Sequence, residues 1–149
     1  MKRQVPAWLL DVGAPFLVAV GRHEIVEVLE RPRPFHLPVG PAWCEELIQW
    51  RRRLLPLVDL SRLGGAEAVG IGDAHLVLIA GYQTGPEEPV EFGALKVRNP
   101  PTSIQVSDDL AAPLPEGARE HWPPLTLAAF KYGEAEVVVP DLARLFNPG

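Results

Sequence analysis

Proline sets the first limit on this chain. Its 149 residues include 17 prolines and 13 glycines, spread over the whole length. Each proline removes a backbone donor and cannot sit inside a helix or a central strand without cost. The residue before it is pushed out of the helical region as well. Long helices are therefore excluded, and many short elements joined by turns are expected.

The apolar pattern agrees. Trp8 to Val12 reads as a short strand, Gly13-Ala14-Pro15 as a turn, and Phe16 to Val20 as a second, continuously apolar strand. His23 to Leu29 reads as a helical turn running into a strand. Arg31-Pro32-Arg33-Pro34 must be irregular. Ala42 to Trp50 is predicted to be a short helix, with Pro41 suited to its start and Glu45 and Glu46 complementing the positive end of its dipole. Leu54 to Leu60 is a strand in which Pro56 suggests an edge or a bulge. Gly64-Gly65 ends it.

Ala74 to Ala80 is the strongest strand signal. Val90 to Val97 is its expected antiparallel partner across the turn Thr84 to Pro89. Asn99-Pro100-Pro101 breaks the chain. Pro113 to Pro124 reads as loop with a short helix near Glu116 to Trp122. Leu125 to Lys131 and Glu134 to Val139 form a hairpin about Tyr132-Gly133. Asp141 caps a terminal helical turn ending at Phe146. Many short strands at near-regular spacing point to a small barrel or pair of barrels.

Charge and cysteine usage narrow the function classes. Fourteen basic residues stand against 19 acidic ones, for a net charge of -5. Such a chain repels phosphate backbones and the anionic bilayer face, so neither nucleic acid nor membrane insertion is expected. No stretch approaches the roughly 18 uncharged apolar residues of a spanning helix. Cys44 is the single cysteine and fits a reducing, cytoplasmic compartment.

Signals for catalysis are weak. His23-Glu24-Ile25-Val26-Glu27 has the outline of a zinc helix, but the second histidine position holds Glu27. His36, His75 and His121 have no neighbour at ligand spacing, so no metal is expected. Gly70-Ile71-Gly72 lacks the remainder of a phosphate loop. Ser61, Ser103 and Ser107 have no base nearby in sequence. A small enzyme built on Cys44 or His23 is the alternative of a different class. It requires a concave polar pocket where titratable groups converge. Arg51-Arg52-Arg53 is the one dense basic run, read either as a solvated rim or as a run in which one guanidinium is fixed by a carboxylate and presents a shaped binding surface.

The segment Pro41 to Leu60 resembles the signature segment of CheW-like domains, with Pro41, Ile48, Arg51, Pro56, Asp59 and Leu60 in matching places. Ile25-Val26-Glu27-Val28-Leu29, Phe92-Gly93-Ala94-Leu95 and Val137 to Leu145 are similar to further elements of that family, in the same order. There are departures. Glu46 and Arg52 stand where the family carries glycine, Gln49 where it carries asparagine, and Lys96-Val97 where it carries Val-Asp.

The resemblance implies a mainly β fold of two small five-stranded SH3-like barrels sharing a hydrophobic core, with short helices. It implies one domain over 1–149, with the two intertwined sub-barrels changing over near 64–74. It implies a non-enzymatic adaptor, without cofactor, that couples methyl-accepting chemoreceptor tips to the regulatory domain of a histidine kinase, in chemotaxis or type IV pilus motility. Glu27, Val28 and Arg51 are the implied receptor-binding residues, with an ion pair between Glu27 and Arg51. No kinase-binding residue is implied. The departures leave open a divergent domain that binds another regulator.

Overall fold

The computed structural model describes residues 3–30, 32–38, 44, 46–63, 71, 76–119 and 122–147. The described residues form eleven strands and one short α-helix: β1 (Gln4–Leu10), β2 (Leu17–Gly21), β3 (Ile25–Glu30), β4 (Phe35–His36), β5 (Glu46–Trp50), β6 (Arg53–Val58), β7 (Leu76–Tyr82), β8 (Glu91–Val97), β9 (Thr102–Ser107), β10 (Thr126–Tyr132), β11 (Ala135–Pro140) and α1 (Leu142–Phe146). Short 3₁₀ turns join several of them. None exceeds seven residues, as the proline content requires.

The strands make two sheets. The first has five strands in the order β10-β11-β2-β1-β9, and the second has six in the order β3-β7-β8-β6-β5-β4. The chain thus begins in the first sheet, crosses to the second at β3, and returns at β9. The sixth strand, Phe35–His36, adds one member to the expected five. The expected changeover near 64–74 falls largely outside the described residues, and the strands on either side of it, β6 and β7, share the second sheet.

Three apolar clusters account for the architecture. The largest joins the two sheets: Leu10, Val18, Val20 and Val138 from the first meet Val58, Leu78, Ala80, Leu95 and Val97 from the second. Trp122 closes it, fully buried and edge-on to Phe16 at 5.3 Å. A second cluster fills the second sheet alone (Ile48, Trp50, Leu55, Leu57, Val77, Ile79, Ala94), and a third fills the first (Ala7, Ala19, Ile104, Phe130, Val137). Each curled sheet therefore has its own interior in addition to the shared core.

Several motif residues have direct physical roles. The Asp59 carboxylate accepts from the Ser61 N–H at 3.0 Å and from the Ser61 hydroxyl, turning the chain out of β6 so that Leu60 enters the shared core. Gly93 lies under α1, where an added Cβ would stand 2.6 Å from Cγ of Phe146. Asp141 caps α1 by accepting from the Arg144 N–H at 3.4 Å. The hairpin β10–β11 turns on Gly133-Glu134, one residue later than expected, with Gly133 at φ +62° in the first central position.

Two expectations fail around Trp50. Residues 46–50 are strand, not the end of a helix, and 41–43 and 45 lie outside the described residues. Glu46, Ile48 and Trp50 share one face and Leu47 and Gln49 the other, a period of two that the barrel interior rewards over helix propensity. Pro56 sits in neither an edge nor a bulge. It faces Leu47 in an unbroken ladder, and the parallel ladder to β8 begins only at Leu57, so the missing N–H disrupts no pairing there.

Candidate functional site

The second barrel's interior face has two ends. Antiparallel β5 and parallel β8, both flanking β6, run in opposite senses, so Trp50 meets Phe92 at one end and Glu46 meets Lys96 at the other. Four residues separate the ends on each strand, roughly 13 Å.

The Trp50 end is an open, charged mouth. The Trp50 and Phe92 rings lie 5.0 Å apart and tilted by 53°. The Arg51 guanidinium lies 4.5 Å from the centre of Trp50, and that of Arg53 lies 5.2 Å from the centre of Phe92. Glu27, from β3, binds both partners. One carboxylate oxygen accepts from Arg51 Nη2 at 3.1 Å and the other from Trp50 Nε1 at 3.4 Å. The expected Glu27–Arg51 pair is therefore formed. Both groups are substantially exposed, so its value lies in orientation more than in stability.

A two-residue hairpin loop presents the arginines. Trp50 pairs with Arg53, and Arg51 and Arg52 between them have φ of +46° and +64°. Two successive positive values are the mark of a type I′ turn, normally filled by Asn-Gly or Gly-Gly. The family's glycine at position 52 is thus explained, and Arg52 occupies that backbone without it.

Val28 lies elsewhere. It pairs with Leu78, a shared-core residue, whereas Glu27 pairs with Ile79 of the second barrel's interior, so the two side chains leave opposite faces of β3. Val28 is 39% exposed. The register of β3 shifts between Ile25 and Glu27, which re-aims Val26. Val26 and Val90, both exposed, converge with Phe92 above Gly81, where an added Cβ would meet all three within 3.6 Å. From there a groove of about 330 Å³ runs to Leu127 and the start of α1, joining the two sheets' surfaces. Sequence reasoning missed this groove. Its lining comes from five separate segments, and only the fold brings them together.

The Glu46–Lys96 end is closed. Lys96 is buried and its ammonium is paired with the Glu46 carboxylate. Both positions depart from the family pattern, and here the two departures meet. A glycine at position 46 would deny Lys96 this carboxylate.

Of the two alternative catalytic residues, Cys44 gains no support from its surroundings, whereas His23 shares the groove with Glu24, Tyr82 and Asp141. Cys44 is buried, its thiol donates to the Glu46 carbonyl at 3.2 Å, and burial pushes its pKa up, which disfavours the reactive thiolate. His23 is exposed at the rim of the groove, on the 3₁₀ turn before β3. Among the described residues no group of acidic, histidine and cysteine side chains could hold a metal ion. Among them, too, no helix is long and apolar enough to cross a membrane.

No curated protein matches the chain in sequence. Its fold is similar to that of the scaffolding protein TtCheW from Thermoanaerobacter tengcongensis, with a TM-score of 0.74 at 17% identity over 97% of this chain and 93% of that one. The family model for the CheW-like domain matches residues 10–148. With two curled β sheets around a shared core and this match over nearly its whole length, the chain belongs to the CheW-like domain family.

Proposed function

We propose that this chain is a non-enzymatic cytoplasmic adaptor that couples chemoreceptor tips to the regulatory domain of a histidine kinase, serving chemotaxis or pilus-driven motility. The observation that carries the reading is the mouth of the second barrel. Glu27 holds Arg51 and Trp50 in one hydrogen-bonded set, at positions the family resemblance marks for receptor contact. An adaptor needs such pre-shaped surfaces, not perturbed catalytic groups. The neighbouring groove, bordered by apolar Val26, Val90 and Leu127 and by polar His23, Glu24, Gln83 and Asp141, suits an amphipathic helical hairpin tip. Val28, on the opposite face of the same strand, would extend receptor contact beyond the mouth.

Binding of a receptor-tip fragment and of a matched kinase regulatory domain tests the reading. Arg51→Glu places two carboxylates against each other at the mouth and is expected to weaken receptor binding about tenfold, a loss of about 1.4 kcal/mol. Circular dichroism should stay unchanged. Unfolding of that variant makes Arg51 structural, and retention of wild-type receptor affinity removes it from the contact. Arg52 and Glu46 at family glycine positions favour a second reading, in which the docked regulator differs from a standard receptor. Co-purification with some other regulator in place of a kinase domain is its signature.

A further inference from the structure

We infer that the turn arginines Arg52 and Arg53, together with Arg51, form a carboxylate-recognition surface that selects a partner segment with acidic residues flanking an apolar face. This inference rests on the docking reading above and names the chemistry of the partner at that site.

Four observations converge. First, the turn concentrates three guanidinium groups, of which Arg51 pairs with Glu27, in a chain whose net charge is -5. Among the described residues neither Arg52 nor Arg53 has an ion-pair partner. Second, Arg51 and Arg53 are pre-positioned. Each guanidinium lies over an aromatic ring, at 4.5 Å and 5.2 Å from its centre; Arg51 spends one N–H on Glu27, and the remaining N–H groups of the planar forks suit contact with carboxylates.

Third, Arg52 holds a left-handed backbone (φ +64°) that glycine would adopt without strain. A strained non-glycine residue at an exposed turn calls for a reason outside stability, and a retained charge supplies one. Fourth, Phe92, under Arg53, also borders the exposed Val26 and Val90, so apolar and cationic surface are continuous. The overall negative charge disfavours nucleic acid and anionic lipid as the occupant, because both present extended charge that the rest of the surface repels.

The test uses the full chain and a synthetic amphipathic helix whose apolar face is flanked by glutamates, beside its twin with glutamine in those places. Trp50, inside the site, reports binding by fluorescence. The glutamate helix should bind, the glutamine twin about tenfold more weakly, and added salt should weaken the first much more than the second. Arg52→Gly, which suits the turn, and Arg53→Gln should each weaken the glutamate helix severalfold and leave the twin unaffected.

Equal binding of the two helices, or insensitivity to both substitutions, overturns the inference. So does binding to phosphatidylserine vesicles or single-stranded DNA in preference to the acidic helix. Arginine-dependent capture of the acidic helix without any affinity for a receptor tip keeps the inference and removes the receptor reading. Receptor-tip binding that ignores Arg52→Gly, Arg53→Gln and salt does the reverse.

Discussion

Arg52→Gly should make this protein more stable. Position 52 is the second central residue of the β5–β6 hairpin loop, at φ +64°, and its side chain is exposed. An L side chain in the left-handed region costs roughly 1–2 kcal/mol, because Cβ crowds the following carbonyl. Glycine removes that cost but returns roughly 0.4–1 kcal/mol through the greater freedom of the unfolded chain. At the midpoints of these ranges the net gain is about 0.8 kcal/mol. For a chain of this length that corresponds to a rise in Tm of about 1–4 °C. Urea denaturation should show a higher midpoint with an unchanged slope. Arg52→Ala is the control, since it removes the guanidinium and keeps Cβ, and should give no gain. Arg51→Gly should gain less than Arg52→Gly, because it also discards the Glu27 pair and the stack on Trp50. A variant Arg52→Gly no more stable than Arg52→Ala would show that the loop is not a type I′ turn in solution.

Three further outcomes follow from packing. Gly93→Ala drives a methyl into the Phe146 ring and should destabilise by about 1–3 kcal/mol, with partial recovery in the double variant Gly93→Ala/Phe146→Leu, as read by thermal denaturation. Glu46→Gln removes the carboxylate facing buried Lys96 and should cost about 1–3 kcal/mol, whereas Glu46→Gly combined with Lys96→Val should cost less than the sum of its parts; additive losses in the double-mutant cycle would mean the two do not interact. Cys44 should react with a thiol reagent at neutral pH only as fast as the protein opens. Because burial raises its pKa in the folded state, its contribution to stability is complete below the ordinary thiol range, about 8.5, and is lost as pH climbs through the raised value. A Cys44→Ala variant should lack that alkaline loss.

Much of the strand order was legible because local signals and burial coincide. The apolar runs of β2, β7 and β11 and the cap at Asp141 announce themselves. Where the signals conflict, tertiary structure decides. Glu45-Glu46 after Pro41 is a good helix start, yet Trp50 and Ile48 bury a two-residue period inside the barrel. β9 escaped notice because only Ile104 of its six residues is buried, and it forms by pairing along Gln4 to Leu9, which extended β1 beyond its apolar part. At the site, the Glu27–Arg51 pair followed from family resemblance alone. The Trp50–Phe92 platform and the Arg53 stack could not be read, because they join residues 42 and 39 positions apart through a parallel ladder that local sequence does not encode.

The Glu46–Lys96 pair also bears on the history of this chain and on attempts to rewrite it. The two positions lie on either side of the middle of the sequence, so a chimaera that joins halves of two relatives separates them. Reverting Arg52 to the family glycine costs the fold nothing, since no packed or paired group depends on its side chain. Reverting Glu46 is not, because Lys96 stays behind in the barrel. Such pairs have an order of acquisition. Consensus editing one position at a time would register the second reversion as an improvement only after the first had done its damage.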